Sequence, residues 1–331
     1  MRDLPTYDLR IMFRAGHSYV WELAEKAGIL ADLGLGIKTL ESAEYSGKAD
    51  DALFSGEIDF IVGNHISPYL HMANGLPVVC IASPGNFVRD RIISREPVES
   101  LADFKGKGLR VADSYFVDQW GGLNHPRGNH MLDVARAGFE PGEAEWVEVG
   151  HLYTPELEPA VIEAVKTGKA DVGFIMGGNL DELRKEGLHV TGLPTLPMVN
   201  GSTITTSYQA LAKHEQLAER LVKAMVLTIH YARVHAEESQ RLLSTKMGKP
   251  YEEWGGRVQS VARYRLKAYP DPEGVANAHE LSTTRHEEAK TIQPMALWDM
   301  HYLRELDMTG FIDELLQEEP EAIRRQGVDL P

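Results

Sequence analysis

The chain has 331 residues, 43% of them hydrophobic and 25% charged, a balance that suits a soluble globular fold with a large core and, at this length, two domains. Its net charge of −15 opposes a polyanion, so nucleic acid is excluded as a partner, whereas a small anion met by local arginines is not. The single cysteine, Cys80, excludes an intramolecular disulfide and, within the apolar run Val78–Ala82, is expected to be a buried, inert thiol.

The opening residues MRDLPTYDLR lack the apolar core of a secretory signal, so a cytoplasmic location is expected, or a periplasmic one if a signal has been removed. No stretch has the length of a membrane-spanning helix, and no membrane insertion is expected. Leu9–Phe13 reads as a first strand and Tyr19–Ala27 as a helix with Ser18 as its N-cap. Gly34-Leu-Gly precedes the strand Ile37–Leu40 instead of following one, so it is no dinucleotide fingerprint. Tyr69–Ala73 is a short helix, Val78–Ala82 a strand, Ser83–Asn86 a loop and Arg91–Ser94 a strand. Val98–Lys105 reads as a helix and Leu109–Ala112 as a strand. Ser114–Asn129 reads as a long irregular loop, the kind that often carries function. A helix follows from Asn129 or His130 to Gly138, then the strand Trp146–Val149, the helix Leu180–Glu186 and the strand Val190–Leu193. Pro194, Pro197 and Gly201 mark a linker before the β-rich Thr203–Ser207. Helices then run from His214 to the end, broken at Tyr269-Pro-Asp-Pro and near Gln293-Pro, with Pro320–Pro331 a peripheral tail.

One phrase occurs twice. ADDALFSGEIDFIVGNH, from Ala49, is a helix stopped by Gly56, then a buried strand, then a polar tip at Gly63, Asn64, His65 and Ser67. AVKTGKADVGFIMGG, from Ala164, repeats it, Gly168 answering Gly56 and Asp171 answering Asp59, and it runs into Asn179. The repetition predicts two similar α/β lobes, each a mixed sheet flanked by helices, with a small-molecule cleft between them and a helical C-terminal region.

The order of "SGEID-strand-G", "GLPVV-strand", "SLADFKGKGLRVAD", a helix ending AGF, and "TGKAD-strand" resembles the type II periplasmic binding protein fold. The likeness is nearest to the branch that binds sulfonates, nitrate and thiamine precursors. Ser100–Val111 is its most specific piece, with Phe104 where the family usually has leucine. The resemblance implies a discontinuous topology: lobe I from residues 1–92 and 205–331, lobe II from residues 93–204. Most relatives deliver solutes to ABC transporters. Some are cytoplasmic enzymes, among them dihydroxyphthalate decarboxylase and a biphenyl sulfinate desulfinase that uses a cysteine, a chemistry that Cys80 inside a strand does not support.

Strand tips in such a fold face the ligand, and here they carry His17, His65, His125 and His130. Several bases suit proton transfer better than simple recognition. Arg14 can grip a carboxylate or sulfonate, as can Arg89. Gly128, Asn129 and His130 offer the N-terminus of a helix to an anion. Tyr115, Phe116 and Trp120 can stack on a planar ligand. Ser18, Asn64, Ser67, Asn86 and Asn179 supply neutral hydrogen bonds. Metal ligand spacings are missing, His286-Glu-Glu lacks its second histidine, and neither a metal nor a cofactor is expected. The reading put first is a metal-independent lyase, decarboxylase-like, acting on a small planar organic anion, with His17 or His65 as proton shuttle. The alternative is a non-catalytic ABC-transporter-type receptor for a sulfonate, carboxylate or pyrimidine-like solute. The helical tail either packs on lobe I or pairs two subunits as a homodimer.

Overall fold

The computed structural model describes residues 5–14, 17–43, 45–63, 65–118, 123–126, 128–151, 157–175, 180–200, 202–214, 216–244 and 260–324, with the backbone alone for 114–118, 123–126, 151, 157, 200, 322 and 324. In chain order the elements are β1 (Tyr7–Phe13), α1 (Tyr19–Lys26), α2 (Ile29–Asp32), β2 (Leu35–Ser42), α3 (Ser46–Ser55), β3 (Phe60–Val62), α4 (Pro68–Ala73) and β4 (Val78–Ala82). Then follow β5 (Gly85–Val88), β6 (Arg91–Ser94), β7 (Leu109–Asp118), β8 (Leu123–Pro126), α5 (Gly128–Arg136), β9 (Ala144–His151), α6 (Leu157–Lys166), β10 (Val172–Ile175), α7 (Leu180–Lys185), β11 (His189–Gly192), β12 (Leu196–Asn200) and β13 (Ile204–Ser207). The rest is helical: α8 (Tyr208–Lys213), α9 (Leu217–Val234), α10 (Ala236–Ser244), and helices Pro272–Arg285, His301–Met308, Phe311–Glu318 and Glu321–Arg324.

The chain forms two compact units, Met1–Asn86 with Val199–Pro331, and Phe87–Met198. The changeovers fall a few residues before those the resemblance implied, because β13 completes the first unit's sheet while β6 lies in the second's. Unit 1 has the strand order β2-β1-β3-β13-β4. Strands β1, β2 and β3 run parallel, and β13 runs against both its neighbours. Alternate side chains of these strands enter opposite cores, as the pleat requires. Leu9, Ile11, Phe60 and Val62 join Trp21 of α1 and Leu221, Met225 and Ile229 of α9. Met12 and Ile61 join Ala49, Ala52 and Leu53 of α3 on the other face. Each fully buried large side chain contributes about 1.5–3 kcal/mol. Leu303, Ile312 and Leu315 of the C-terminal helices also enter the larger core, so the tail packs on unit 1.

Unit 2 carries β11-β6-β10-β7-β8, with β9 on β7. Ile93, Ala112 and Ile175 face Val161, Ala164 and Val165 of α6. Ile92, Val111 and Phe174 face Leu101, Val134 and Phe139. Helix α6 lies so close to β10 that a Cβ on Gly173 would stand 2.4 Å from Val161 Cγ1. Gly173→Ala is therefore expected to destabilise the protein by about 1–3 kcal/mol through overpacking. Chemical denaturation at unchanged m-value measures this; a neutral variant would mean that α6 is held less tightly than described.

The repeated phrase has one structural meaning in both units. Gly56 and Gly168 end their helices at φ +75° and +77°, in the left-handed region open to glycine. The aspartate three residues on then clasps an arginine of the neighbouring parallel strand. Asp59 accepts from the Arg10 backbone N–H at 2.8 Å and from its guanidinium at 2.9 Å. Asp171 accepts from Arg110 in the same way, at 2.9 and 2.7 Å. Burial pushes the Asp171 carboxyl up, but the Arg110 bonds outweigh that and leave it below its ordinary range.

Four local expectations are corrected. The segment read as an irregular loop at Ser114–Asn129 is largely the antiparallel hairpin β7–β8, with Tyr115 opposite Pro126 and Phe116 opposite His125. The linker after Pro194 contains strand β12, paired with β5; a proline is tolerated in so short an edge ribbon. The Val98–Lys105 helix shrinks to one 3-10 turn, Leu101–Phe104, closed by a capping box between Ser100 and Asp103 and followed by Gly106 and Gly108 at positive φ. Ser18 precedes α1 but does not cap it; its hydroxyl donates to Glu22 Oε1 at 2.7 Å.

Candidate functional site

In unit 1 the parallel strands end together, Phe13 beside Val62, and the polar residues beyond them have distinct tasks. Arg14 is buried at 5% exposure, and its guanidinium donates to the Ala43 carbonyl at 2.9 Å, tying the tip of β1 to the chain after β2. Ser67 donates to Asp50 Oδ2 at 2.7 Å, and His71 Nε2 lies 2.9 Å from that oxygen. This is no nucleophilic triad, because the serine proton goes to the carboxylate and not to an imidazole. Asn86 donates to the carbonyls of Ser83 and Tyr269 and accepts from the Asp271 N–H. It is a latch between chain segments, with its polar atoms committed to backbone. Asn64 lies outside the described residues.

His65 differs from these. It is 8% exposed, and its Nδ1 is buried without a hydrogen-bond partner. Burial, with the nearby His17 and Arg285, outweighs the Gly63 backbone and holds the imidazole down to about 3, so at neutral pH the ring is uncharged. His17 is half-buried beside it. The unfolded chain protonates this residue near 6.5 and the folded one does not, so its contribution to stability is present above pH 6.5 and is lost as pH falls toward 3. Between pH 6.5 and 4.5 the wild type is expected to lose about 2–3 kcal/mol that a His65→Gln variant keeps. Denaturant titrations at the two pH values measure it, and equal slopes would refute the buried neutral ring.

In unit 2 the strand tips carry an acid–imidazole cluster. Asp113 follows the last β7 residue paired with β10, and Asp90 precedes β6, whose first residue, Arg91, lies opposite Ile175 at the end of β10. Helix α5 begins at Gly128 and turns Asn129, His130 and Asp133 to one face, as i, i+1 and i+4 permit. Asn129 donates to Asp90. His130 places Nδ1 2.9 Å from Asp113 Oδ2 and Nε2 3.7 Å from Asp90 Oδ1. Its ring stacks on Phe174 at 3.8 Å with the planes 8° apart. The expected anion cradle at Gly128–His130 is thus lined by the chain's own carboxylates, which the helix N-terminus favours. Asp133 is 8% exposed. Burial first and the neighbouring Asp90 second push it up to about 7, against a smaller pull from His130.

The three aspartates were missed in the sequence, although Asn129-His130-x-x-Asp133 has the spacing of one helical face. The side chains of Tyr115 and His125, and all of Trp120 and Asn179, lie outside the described residues. Among the described residues no group of three or more His, Cys, Asp or Glu is arranged to hold a metal, and no helix is long and apolar enough to cross a membrane. Cys80 is fully buried, sits 3.3 Å from Thr205 Oγ1 and is pushed up to about 12 by burial, as an inert thiol should be.

Two α/β units, the second inserted in the first, with mixed sheets and a helical C-terminal region, define the type II periplasmic binding protein fold. A family model described as NMT1/THI5 like matches residues 20–239, more than half of the chain, and the chain belongs to that family. Solved structures agree on the fold. The periplasmic nitrate-binding protein NrtA from Synechocystis PCC 6803 is 14% identical with a TM-score of 0.61, over 95% of this chain and 92% of that one. The periplasmic aliphatic sulphonate binding protein SsuA from Escherichia coli is 18% identical with a TM-score of 0.56, over 85% and 87%. The alkanesulfonate-binding protein SsuA from Xanthomonas axonopodis pv. citri, bound to MOPS, is 15% identical with a TM-score of 0.56, over 89% and 99%. No curated protein matches the chain in sequence.

Proposed function

We propose that this protein is a non-catalytic receptor for a small polar organic solute, of the kind that serves an ABC transporter. The observation that carries this reading is the state of His65. A general base works best with a pKa near the operating pH, and an imidazole held at about 3 is a poor proton shuttle. As a fixed, neutral hydrogen-bonding group it suits recognition. Arg14 and Ser67, assigned to the substrate in the lyase reading, have bonds to Ala43 and Asp50. The neighbours named for sulfonate and nitrate support the receptor reading and lend the lyase none. Two of them are named as periplasmic, which favours an exported location over a cytoplasmic one.

A panel of small sulfonates, carboxylates and pyrimidines tests this by melting temperature and by mass spectrometry of the recovered compound. A compound that stabilises the protein, returns unchanged, and binds at least tenfold more weakly to His65→Ala supports the receptor. Conversion of any of them, abolished in His65→Ala, overturns it in favour of a lyase.

A further inference from the structure

Helix His301–Met308 turns Leu303 inward, where it is fully buried, and Tyr302 and Leu306 pack against the same core. Its other side lies open. His301, Arg304, Glu305, Met308 and the following Thr309, spaced i, i+3, i+4, i+7 and i+8, form one face, and they line a surface groove of about 540 Å³. Met308 is 81% exposed, and none of the large hydrophobic side chains among the described residues is more so. Met12, Met198 and Met225, by contrast, are at most 5% exposed. A groove with an open methionine and an arginine on its lining has the composition of an interface.

The charges decide what fits it. At 3.6 residues per turn, Arg304 lies about 60° to one side of His301 and Glu305 about 40° to the other, while Met308 returns to the line of His301. Glu305 comes no closer than 4.0 Å to His301 Nε2. The next acid along the helix, Asp307, is held by Lys267 at 2.9 Å, and Arg304 has no ion pair among the described residues. The face thus carries a base on one flank, an acid on the other, and methionine on the line between. A second copy of this helix, set parallel about a two-fold axis, lays its acidic flank on the first copy's basic flank, and the symmetry repeats the contact on the other side. An antiparallel copy would instead oppose arginine to arginine and glutamate to glutamate.

We propose that this face is a homodimer interface, in which parallel copies of helix His301–Met308 meet through Met308 and through two reciprocal ion pairs between Arg304 and the partner's Glu305. This goes beyond the receptor reading and does not depend on it. The eight residues of the helix span only about 12 Å, too little for the roughly 800 Å² per partner of a standard interface, so the association is weak and appears at high concentration.

Sedimentation velocity of the full chain, from about 10 μM to about 1 mM, tests it. The wild type is expected to pass from monomer to dimer over that range. Arg304→Glu and Glu305→Arg should each weaken the dimer by at least about fivefold, and the two exchanged together should restore it to within about twofold. The two single changes move the net charge of −15 in opposite directions, so a loss in both reports the local pairing and not the overall repulsion. Under mild air oxidation Met308→Cys should form an intermolecular disulfide at least about tenfold faster than Met295→Cys, because only position 308 faces its own copy across the two-fold axis. Met295 is 48% exposed and outside the groove, and the native Cys80 is fully buried and does not compete. Circular dichroism and melting confirm that the variants fold. A wild type that stays monomeric throughout, a single charge reversal that dimerises like the wild type, a double exchange no better than the singles, or equal cross-linking at 308 and 295 overturns the proposal.

Discussion

Glu319→Ala is expected to lower the unfolding free energy by about 3–5 kcal/mol, the range for breaking a buried ion pair and stranding one charge. The Glu319 carboxylate is 2% exposed and the Arg233 side chain 1%, with Arg233 Nη1 2.7 Å from Glu319 Oε1. Arg233 also donates from Nε to the Ala262 carbonyl at 2.8 Å and from Nη2 to that of Tyr264. One guanidinium thus joins helix α9, the segment after Ser260 and the end of the Phe311–Glu318 helix. Without Glu319 the charge stays buried, because its other bonds hold it in place. Glu319→Gln, which keeps one acceptor, is expected to cost less than half as much. Arg233→Met with Glu319→Leu should fall between them, since the charge is gone but two carbonyls are left without their donor. Urea titrations of the three variants measure this order, and a cost below about 1 kcal/mol for Glu319→Ala would place the pair in the solvent-exposed class.

Asp133→Asn is expected to work in the opposite direction, raising stability by about 2–4 kcal/mol at pH 8 and by almost nothing at pH 4. The sign follows from the raised carboxyl. Its folded value is about 7 and an unfolded aspartate lies near 3.9. Between those values the folded state holds a proton that the unfolded state has released, so stability is full below pH 4 and declines as pH rises to 7. An amide carries no charge to desolvate and escapes the decline. Thermal melts from pH 4 to pH 8 give the difference directly. A variant that is less stable at pH 8 would show that the carboxylate is well paired in the native protein.

Much of the fold was legible because it rests on short-range patterns. Val78–Ala82 and Arg91–Ser94 were read from the sequence with the boundaries they have; the first is an unbroken apolar run, which specifies a buried strand, and the second has a β-branched Ile92-Ile93 pair at its centre. The helix–glycine–strand repeat was legible because Gly56 and Gly168 mark helix ends by backbone chemistry alone. Its other half, the arginines at 10 and 110, was not, because an arginine within a strand does not reveal which neighbour it faces. The hairpin β7–β8 was hidden by its many turn-formers and β12 by its proline. At the site the limit was sequence separation. Arg14, Ser67 and Asn86 read as free donors, and their partners at 43, 50 and 269–271 are long-range. His65 was named from its place after a strand, but its neutrality comes from burial that only packing creates. Asp90, Asp113 and Asp133 were overlooked since an aspartate beside a strand or on a helix is ordinary, and only convergence on His130 makes three of them a cluster.

Strand β13 lies between β3 and β4, and that placement governs the order in which a ribosome can deliver a finished product. Every strand from β6 to β11 falls within Phe87–Met198, so the insert can close on itself as soon as it has emerged. The earlier strands must wait for Ile204–Ser207, on the order of ten seconds at roughly 5–20 residues per second. Through that interval β3 and β4 each present a bare, apolar edge, the state most open to mispairing with another nascent chain. Demand for a holding chaperone is therefore set by connectivity, and swapping the order of synthesis by circular permutation within the insert would change it without altering one contact of the mature protein.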